Sequence, residues 1–440
     1  MALSSGSHIH VAVVGGGITG VILALGLQKR GVNYTLYERA PAFTEIGAGI
    51  GFSPNAERAL KVIDPEVYRI FKQVATTNEG EDYFSWVDGY RTNEVVARLL
   101  IGVDAFQGGR RSDFLEAWSK LILQTNVKFG KEVTSVHQRD DGKVSLGFKD
   151  GTVEEADIVI GCDGINSRVR RLILGESNPA SYPSYTNKYC YRALVPMDKA
   201  REVLGTERTT NGNGSLNRYM YLGPNAHCMN YPVANDQFLN VLLVISDPDP
   251  WHTEDGKHTA PGTKADAIRA FAEWHPKVRA IVDLLPEKLQ KWAIFDLFEN
   301  PAPHYHDGSV AIAGDAAHAA GPHLGSGAGF GIEDALVLAS LLEAASMKAN
   351  GQNQKTKVDL CHDALIAYNS VRYDRTQWLI GATREACALF HWQDEAVGSD
   401  GDKLLPEISK RFHQIWDNDI ERMVEGALKE FDKVLGRRGA

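Results

Sequence analysis

The chain has 440 residues, 43% of them hydrophobic and 23% charged, with a formal net charge of −9. That length exceeds what one ordinary hydrophobic core organises, so two packed globular domains are expected. The acidic balance, without any dense Lys/Arg run, excludes a surface built to grip nucleic-acid phosphates.

The first elements form a β-turn-α unit. Residues 9–14 predict a buried strand, Gly15 to Gly20 a tight turn, 18–30 a helix, and 34–37 a second strand ending at Glu38. This is the βαβ arrangement of a nucleotide-binding sheet. Val144, Leu146 and Phe148 alternate with polar residues, and Asp150-Gly151 supplies a hairpin turn. The returning chain enters an apolar run at 157–161, a candidate central parallel strand, with Asp163-Gly164 at its carboxyl end and helix from Asn166. Between 182 and 292 the runs 189–195, 218–221, 228–233 and 238–245 read as strands of an inserted antiparallel sheet, and 209–215 as an exposed loop. The nucleotide-binding pattern resumes with a strand at 310–313, a glycine-rich loop to Gly331 and a helix at 332–347. Residues 348–355 read as a linker, and the remainder from Lys357 is charged and helix-periodic. The expected fold is therefore α/β: a Rossmann-like nucleotide-binding domain at 1–181 and 293–350, an inserted antiparallel β-sheet domain at 182–292 facing a substrate, and a helical C-terminal segment at 351–440.

The five cysteines, Cys162, Cys190, Cys228, Cys361 and Cys387, are odd in number and contain no CxxC pair. Neither a zinc site nor a disulfide framework is indicated, and no metal is expected. Residues 1–10 lack the charged and apolar regions of a secretory signal. The longest apolar stretches, such as 21–27, fall far short of the ~20 residues a membrane span needs. A cytoplasmic protein without a membrane span is expected.

Three motifs carry chemistry. Gly15-x-Gly17-x-x-Gly20 is weakly specific alone, but here a strand precedes it, a helix follows it, and Glu38 ends the next strand. Such glycines let backbone approach a pyrophosphate at a helix N-terminus while a carboxylate holds the ribose. The second motif, Asp163-Gly164-Ile165-Asn166-Ser167-Arg168, reads equally well as an Asx-turn capping a helix. The third is Gly314-Asp315-Ala316-Ala317-His318, with Pro322, Gly325, Gly327, Gly329 and Glu333-Asp334 beyond it. An aspartate just past a strand can accept hydrogen bonds from a polyol. The glycines leave room for a flat ring, and the next helix aims its positive end at that ring. His318 and His323 have no third ligand at useful spacing, which favours a structural role for His318.

The strings VAVVGGGITG, IGCDGINSRVR and AIAGDAAHAAGPHLGSGAGFGIEDA, in this order, resemble the fingerprints of single-component FAD-dependent aromatic hydroxylases. Further strings, among them GGRRSDFLEAW, YRALVPMDKAREVLG and YLGPNAHCMNYPV, are similar to the fungal salicylate-hydroxylase-like branch. Within it the likeness runs to enzymes that oxidatively dearomatise phenolic polyketide aldehydes and ketones of azaphilone, sorbicillinoid and tropolone routes. The resemblance implies FAD contacts at Glu38, Gly51, Arg111, Asp315 and Ala328, with Arg110 an alternative to Arg111. It implies that the Asp163-Gly164 motif touches both FAD and a passing NADPH or NADH. It also implies hydroxyl transfer to a small phenolic substrate from a flavin C4a-hydroperoxide formed with O2.

Such chemistry leaves the difficult step to the flavin. The protein must place the ring carbon, exclude water, and keep the phenol as an electron-rich phenolate. The resemblance implies Arg192, in YRAL, and Tyr231, in YPV, as the groups that hold the phenolate, with Phe106 where some relatives carry a tyrosine. Trp86, Phe106, His227, Trp292 and Phe330 are candidate pocket walls. Epoxidation, decarboxylative hydroxylation and oxidase chemistry are alternative outcomes on the same cofactor, and a non-catalytic nucleotide sensor is an alternative of another class. Oligomeric state is open.

Overall fold

A computed structural model describes residues 9–437, apart from 44–48, 77–81, 103–104, 210–216, 234–236, 254–256 and 351–355. The loop expected at 209–215 and the linker expected at 348–355 thus lie largely outside the described residues.

The first layer is a six-stranded sheet in the order His306–Asp307, Val310–Ile312, Ile158–Gly161, His10–Val14, Asn33–Glu38, Val127–Phe129. All its pairings are parallel except the short hairpin at its edge. Strands flanked on both faces must be apolar throughout, and Val11 to Val13, Ile158 to Ile160 and Val310 to Ile312 are buried without alternation. The helix Ile18–Lys29 packs against the long helix Gly327–Asn350. Both are apolar almost all round because each is sandwiched. The hairpin turn at Asp150-Gly151 joins Val144–Phe148 to Val153–Ala156 in a separate three-stranded sheet with Val133–Gln138.

The second layer is an eight-stranded sheet ordered Thr259–Thr263, Lys288–Asp296, Ser184–Pro196, Phe238–Ser246, Ala226–Val233, Asn217–Gly223, Asp82–Asp88, Val95–Gly102. Two of these strands precede residue 182, and the strand Lys288–Asp296 runs past 292. The sheet is therefore wider than the segment 182–292. The reason is topological: Asp82–Asp88 enters beside Asn217–Gly223 in parallel, a long-range pairing that local periodicity does not reveal.

Strand alternation divides this sheet into two faces. One face buries Tyr189, Tyr191, Tyr219, Tyr221, Cys228, Val241 and Leu243 in a core with the helices Met197–Leu204, Lys264–Ala270 and Pro276–Asp283. The other carries Phe84, Trp86, Arg192, Met220, Met229, Tyr231 and Leu242 toward the nucleotide-binding layer. The C-terminal helices, beginning with the 34-residue Lys357–Phe390, lock the two layers together through Gly327–Asn350.

Candidate active site

A cavity of about 1410 Å³ lies between the layers. One end is built from backbone. Gly15 holds φ +107°, a left-handed conformation open to glycine, and a Cβ there would come within 2.5 Å of the Cys162 carbonyl oxygen. A Cβ at Gly20 would run into the carbonyl of Gly15. The loop is thus pressed onto the end of the Ile158–Gly161 strand and onto its own helix. Gly17 differs: a Cβ there meets no protein atom, and the residue lines the cavity. The turn therefore presents bare backbone at the N-terminus of Ile18–Lys29, the cradle a pyrophosphate requires.

Glu38 ends its strand at this wall. Its carboxylate accepts hydrogen bonds from the backbone N–H of Gly16 at 2.6 Å and of Ala40 at 2.7 Å, which ties the glycine loop to the second strand. Asp163 also lines the cavity, but its carboxylate accepts from Ser167 Oγ, Arg168 N and Val169 N at 2.5, 2.7 and 3.0 Å. The N-cap of the helix Arg168–Leu174 is Ser167, whose Oγ accepts from Arg170 N, and Asp163 braces that cap and the first two helical N–H groups from the loop rather than forming an Asx-turn. Burial pushes the Asp163 carboxyl up, against the pull of those hydrogen bonds.

Asp315 follows the strand Val310–Ile312 and exposes its carboxylate to the cavity. The expected helix at 332–347 begins five residues earlier, at Gly327. Glycines that look like loop in sequence fold into its first turn because Ala56 and Thr19 pack where Gly329 and Gly331 lack side chains. Gly327 and Ala328 thus stand at the helix N-terminus on the cavity wall, with its positive end directed inward. Gly51, in the strand Gly49–Phe52, lines the cavity against Phe106, which occupies the place of a Cβ. Arg111 begins the helix Arg111–Ser119 and lines the cavity, whereas Arg110 turns outward to Asp113 at 2.9 Å.

His318 is structural. It is buried with Nε2 2.5 Å from Asp334 Oδ2, and the same oxygen accepts from Gly314 N at 2.9 Å. Arg372 pairs with Asp334 Oδ1 at 2.7 Å and Glu333 at 2.6 Å, and Arg375 binds Glu333. This buried charge network fixes the loop that carries Asp315. Sequence spacing did not expose it, because Arg372 lies 38 residues beyond Asp334 on another helix.

The other end of the cavity is built from side chains. Arg192, Tyr231, Trp86, Phe106 and Trp292 all line it. His227 and Phe330 do not: His227, on the strand face of Met229 and Tyr231, is buried beside His323, and Phe330 packs under Arg375. Arg218 is a wall residue that sequence reasoning missed. It is buried, paired with Asp82 at 2.8 Å, and donates to the Phe106 carbonyl. Strand alternation places it on the face of Met220, but only the parallel partner strand reveals the carboxylate that neutralises it. Arg192, by contrast, has no carboxylate partner among the described residues. Burial raises the Tyr231 hydroxyl pKa, while Arg192 and Arg218 pull it down. The Tyr231 oxygen would lie 2.6 Å from a Cβ at Gly49, so it sits at the seam between sheet and nucleotide layer.

Comparison with known proteins agrees with this geometry. The FAD binding domain family model matches residues 8–362. The chain belongs to that family. It is 46% identical over 435 residues to the FAD-dependent monooxygenase pigN of Monascus ruber, covering 97% of this chain and 98% of the relative. It is 40% identical over 444 residues to the salicylate hydroxylase asL1 of Sarocladium schorii, covering 96% and 91%. Among solved structures, a salicylate hydroxylase substrate complex superposes with a TM-score of 0.83 at 28% identity, covering 96% of this chain and 98% of that one. The FAD-binding family member described here is thus an FAD-dependent monooxygenase, and NAD(P)H as reductant is typical of the family. The glycine cradle, the exposed Asp315 and the helix end at Gly327 fit FAD. Among the described residues no helix is long and apolar enough to cross a membrane.

Proposed function

We propose that this monooxygenase hydroxylates a phenolic polyketide aldehyde or ketone, with oxidative dearomatisation of the ring. The observation that carries the reading is the position of Arg192. It is a cation without a described carboxylate partner, on the same cavity face as the Tyr231 hydroxyl, among the apolar walls Trp86, Phe106, Met220, Met229 and Trp292. Bound FAD, reduced by NADPH or NADH, supplies the activated oxygen that is transferred from O2.

The chain's own residues set up the acceptor. A phenol near pKa 10 is mostly neutral at pH 7 to 8, and lowering it by two units requires about 2.7 kcal/mol of preferential anion stabilisation. Charge-assisted hydrogen bonds contribute roughly 1.5–3 kcal/mol each, so Arg192 with Tyr231 as a second donor is sufficient. The aromatic and Met walls hold the ring, and the bound ring itself must cover Arg192, whose side chain is solvent-exposed, for water not to compete for the phenolate. On this reading Glu38, Gly51, Arg111, Asp163, Asp315, Gly327 and Ala328 hold FAD. The larger sheet, with its two strands from before residue 182, forms the substrate domain. Five buried cysteines without disulfides suit the reducing cytoplasm in which we place the enzyme.

A second reading, decarboxylative hydroxylation, is favoured by the superposition on salicylate hydroxylase, since Arg192 would equally receive a carboxylate. Turnover of resorcinol aldehydes and salicylate, followed by product mass, separates the two. Gain of one oxygen with all carbons retained supports the proposal. Gain of oxygen with loss of CO2 replaces it with the second reading, and no stimulated NAD(P)H oxidation by any phenol overturns both.

A further inference from the structure

Each turnover of an NAD(P)H-dependent monooxygenase consumes a proton. Substrate, O2, NAD(P)H and H⁺ give hydroxylated substrate, NAD(P)⁺ and water. Uncoupled turnover consumes one as well, giving NAD(P)⁺ and hydrogen peroxide. The cavity must admit that proton without admitting bulk water.

A row of side chains runs from the cavity wall to the surface. His323, in the turn Pro322–Leu324, lines the cavity, and its buried Nδ1 has no hydrogen-bond partner among the described residues. The His227 ring lies beside it, centroids 5.7 Å apart, and donor atoms of His227, His323 and Cys387 fall within 4.8 Å of one another. His227 Nδ1 is hydrogen-bonded to His391 Nε2 at 2.9 Å, and His391 Nδ1 to Ser246 Oγ at 2.9 Å. Ser246 is half-buried and is reached by Gln393 at the surface.

We propose that Ser246, His391, His227 and His323 form the path that delivers this proton from solvent to the cavity. A neutral imidazole accepts at one ring nitrogen and donates at the other, so a row of them passes a proton without storing one. Burial keeps these rings neutral: His227 is pushed down to about 3, and His323 and His391 fall well below the ordinary range. Lys188 adds to that depression, and the neighbouring Cys387 thiol, raised by burial to about 12, stays protonated. A proton arriving at Ser246 Oγ is passed to His391 Nδ1. His391 releases the proton on Nε2 to His227 Nδ1, and His227 passes its own toward His323 and the cavity. No bond to carbon changes and no electrons move. The step between His227 and His323 is made by ring rotation or one intervening water.

The path rests on monooxygenase turnover and not on the identity of the substrate, so it is tested on the FAD-loaded full chain with NADPH and O2 alone. His391→Gln keeps a hydrogen-bond donor and acceptor in place but cannot exchange protons between them. Proton uptake, followed with a pH indicator in a stopped-flow single turnover, is expected to slow at least tenfold. Its solvent isotope effect should rise, with bound FAD and the KM for NADPH unchanged. Ser246→Ala is expected to slow uptake about threefold. Uptake at the parental rate in His391→Gln overturns the proposal, as does a metal ion held stoichiometrically by the purified holoenzyme at these histidines. Should His391→Gln fail to retain FAD, Ser246→Ala decides by the same measurement, and an unchanged rate there overturns it.

Discussion

The glycine loop at one end of the cavity and the open face of the eight-stranded sheet at the other are both walls of one site, yet they are made differently. The first is made of backbone: Gly15, Gly17 and Gly20 supply conformation and absence of side chain within six residues of sequence. The second uses side chains drawn from strands far apart in the chain, from Trp86 to Trp292. At Gly15 and Gly20 the loop has no room for an added atom. A side-chain wall tolerates substitution but changes what it prefers. On the function proposed above, the backbone end holds the cofactor and the side-chain end sets which acceptor reacts.

The largest expected effect breaks the backbone end. Gly20→Ala drives a methyl group into the Gly15 carbonyl, and flavin affinity should fall by at least about 100-fold, the clash being with backbone that cannot yield. Flavin absorbance of the purified variant, with its Tm to confirm folding, is the measurement. Bound flavin at the parental level would show that the two ends are equally tolerant.

Arg192→Met attacks the side-chain end. FAD should stay bound while product formed per unit time falls by about 100-fold, the equivalent of two pKa units on the phenol. Product formed per NAD(P)H oxidised should fall with it, since reduction continues without a correctly held acceptor. Tyr231→Phe removes one hydrogen bond and no charge, so a drop of about tenfold is expected. Equal effects from Arg192→Met and Tyr231→Phe would argue that charge is not what holds the ring.

The smallest effect concerns the buried charge network that fixes the loop of Asp315. Burial alone would raise the Glu333 carboxyl, but Arg372 and Arg375 hold it down at about 2 against an ordinary 4.5. A folded-state value below the unfolded one contributes stability that is complete above pH 4.5 and is lost as pH falls toward 2. At pH 4 the loss should be about 1 kcal/mol. Thermal unfolding between pH 6 and 4 should show a declining Tm in the parent, and Glu333→Gln should flatten that part of the slope while lowering stability at pH 7. An unchanged slope in the variant would remove Glu333 from the account.

What the sequence determined by itself was local in origin. The strand at His10–Val14, the helix after it and the strand to Glu38 follow from period and glycine position, and Asp315 follows from its place just past a strand. Helix propensity placed the start of Gly327–Asn350 too late, because only the packing of Thr19 and Ala56 shows that those glycines are helical. Tertiary structure alone decided that Asp82–Asp88 joins the larger sheet and that Asp82 neutralises Arg218. It also assembled His323, His227 and His391 into one row. Each of these joins residues separated by roughly a hundred positions or more through strand register or helix packing. Such pairings depend on the whole chain's closure and leave no trace in local periodicity.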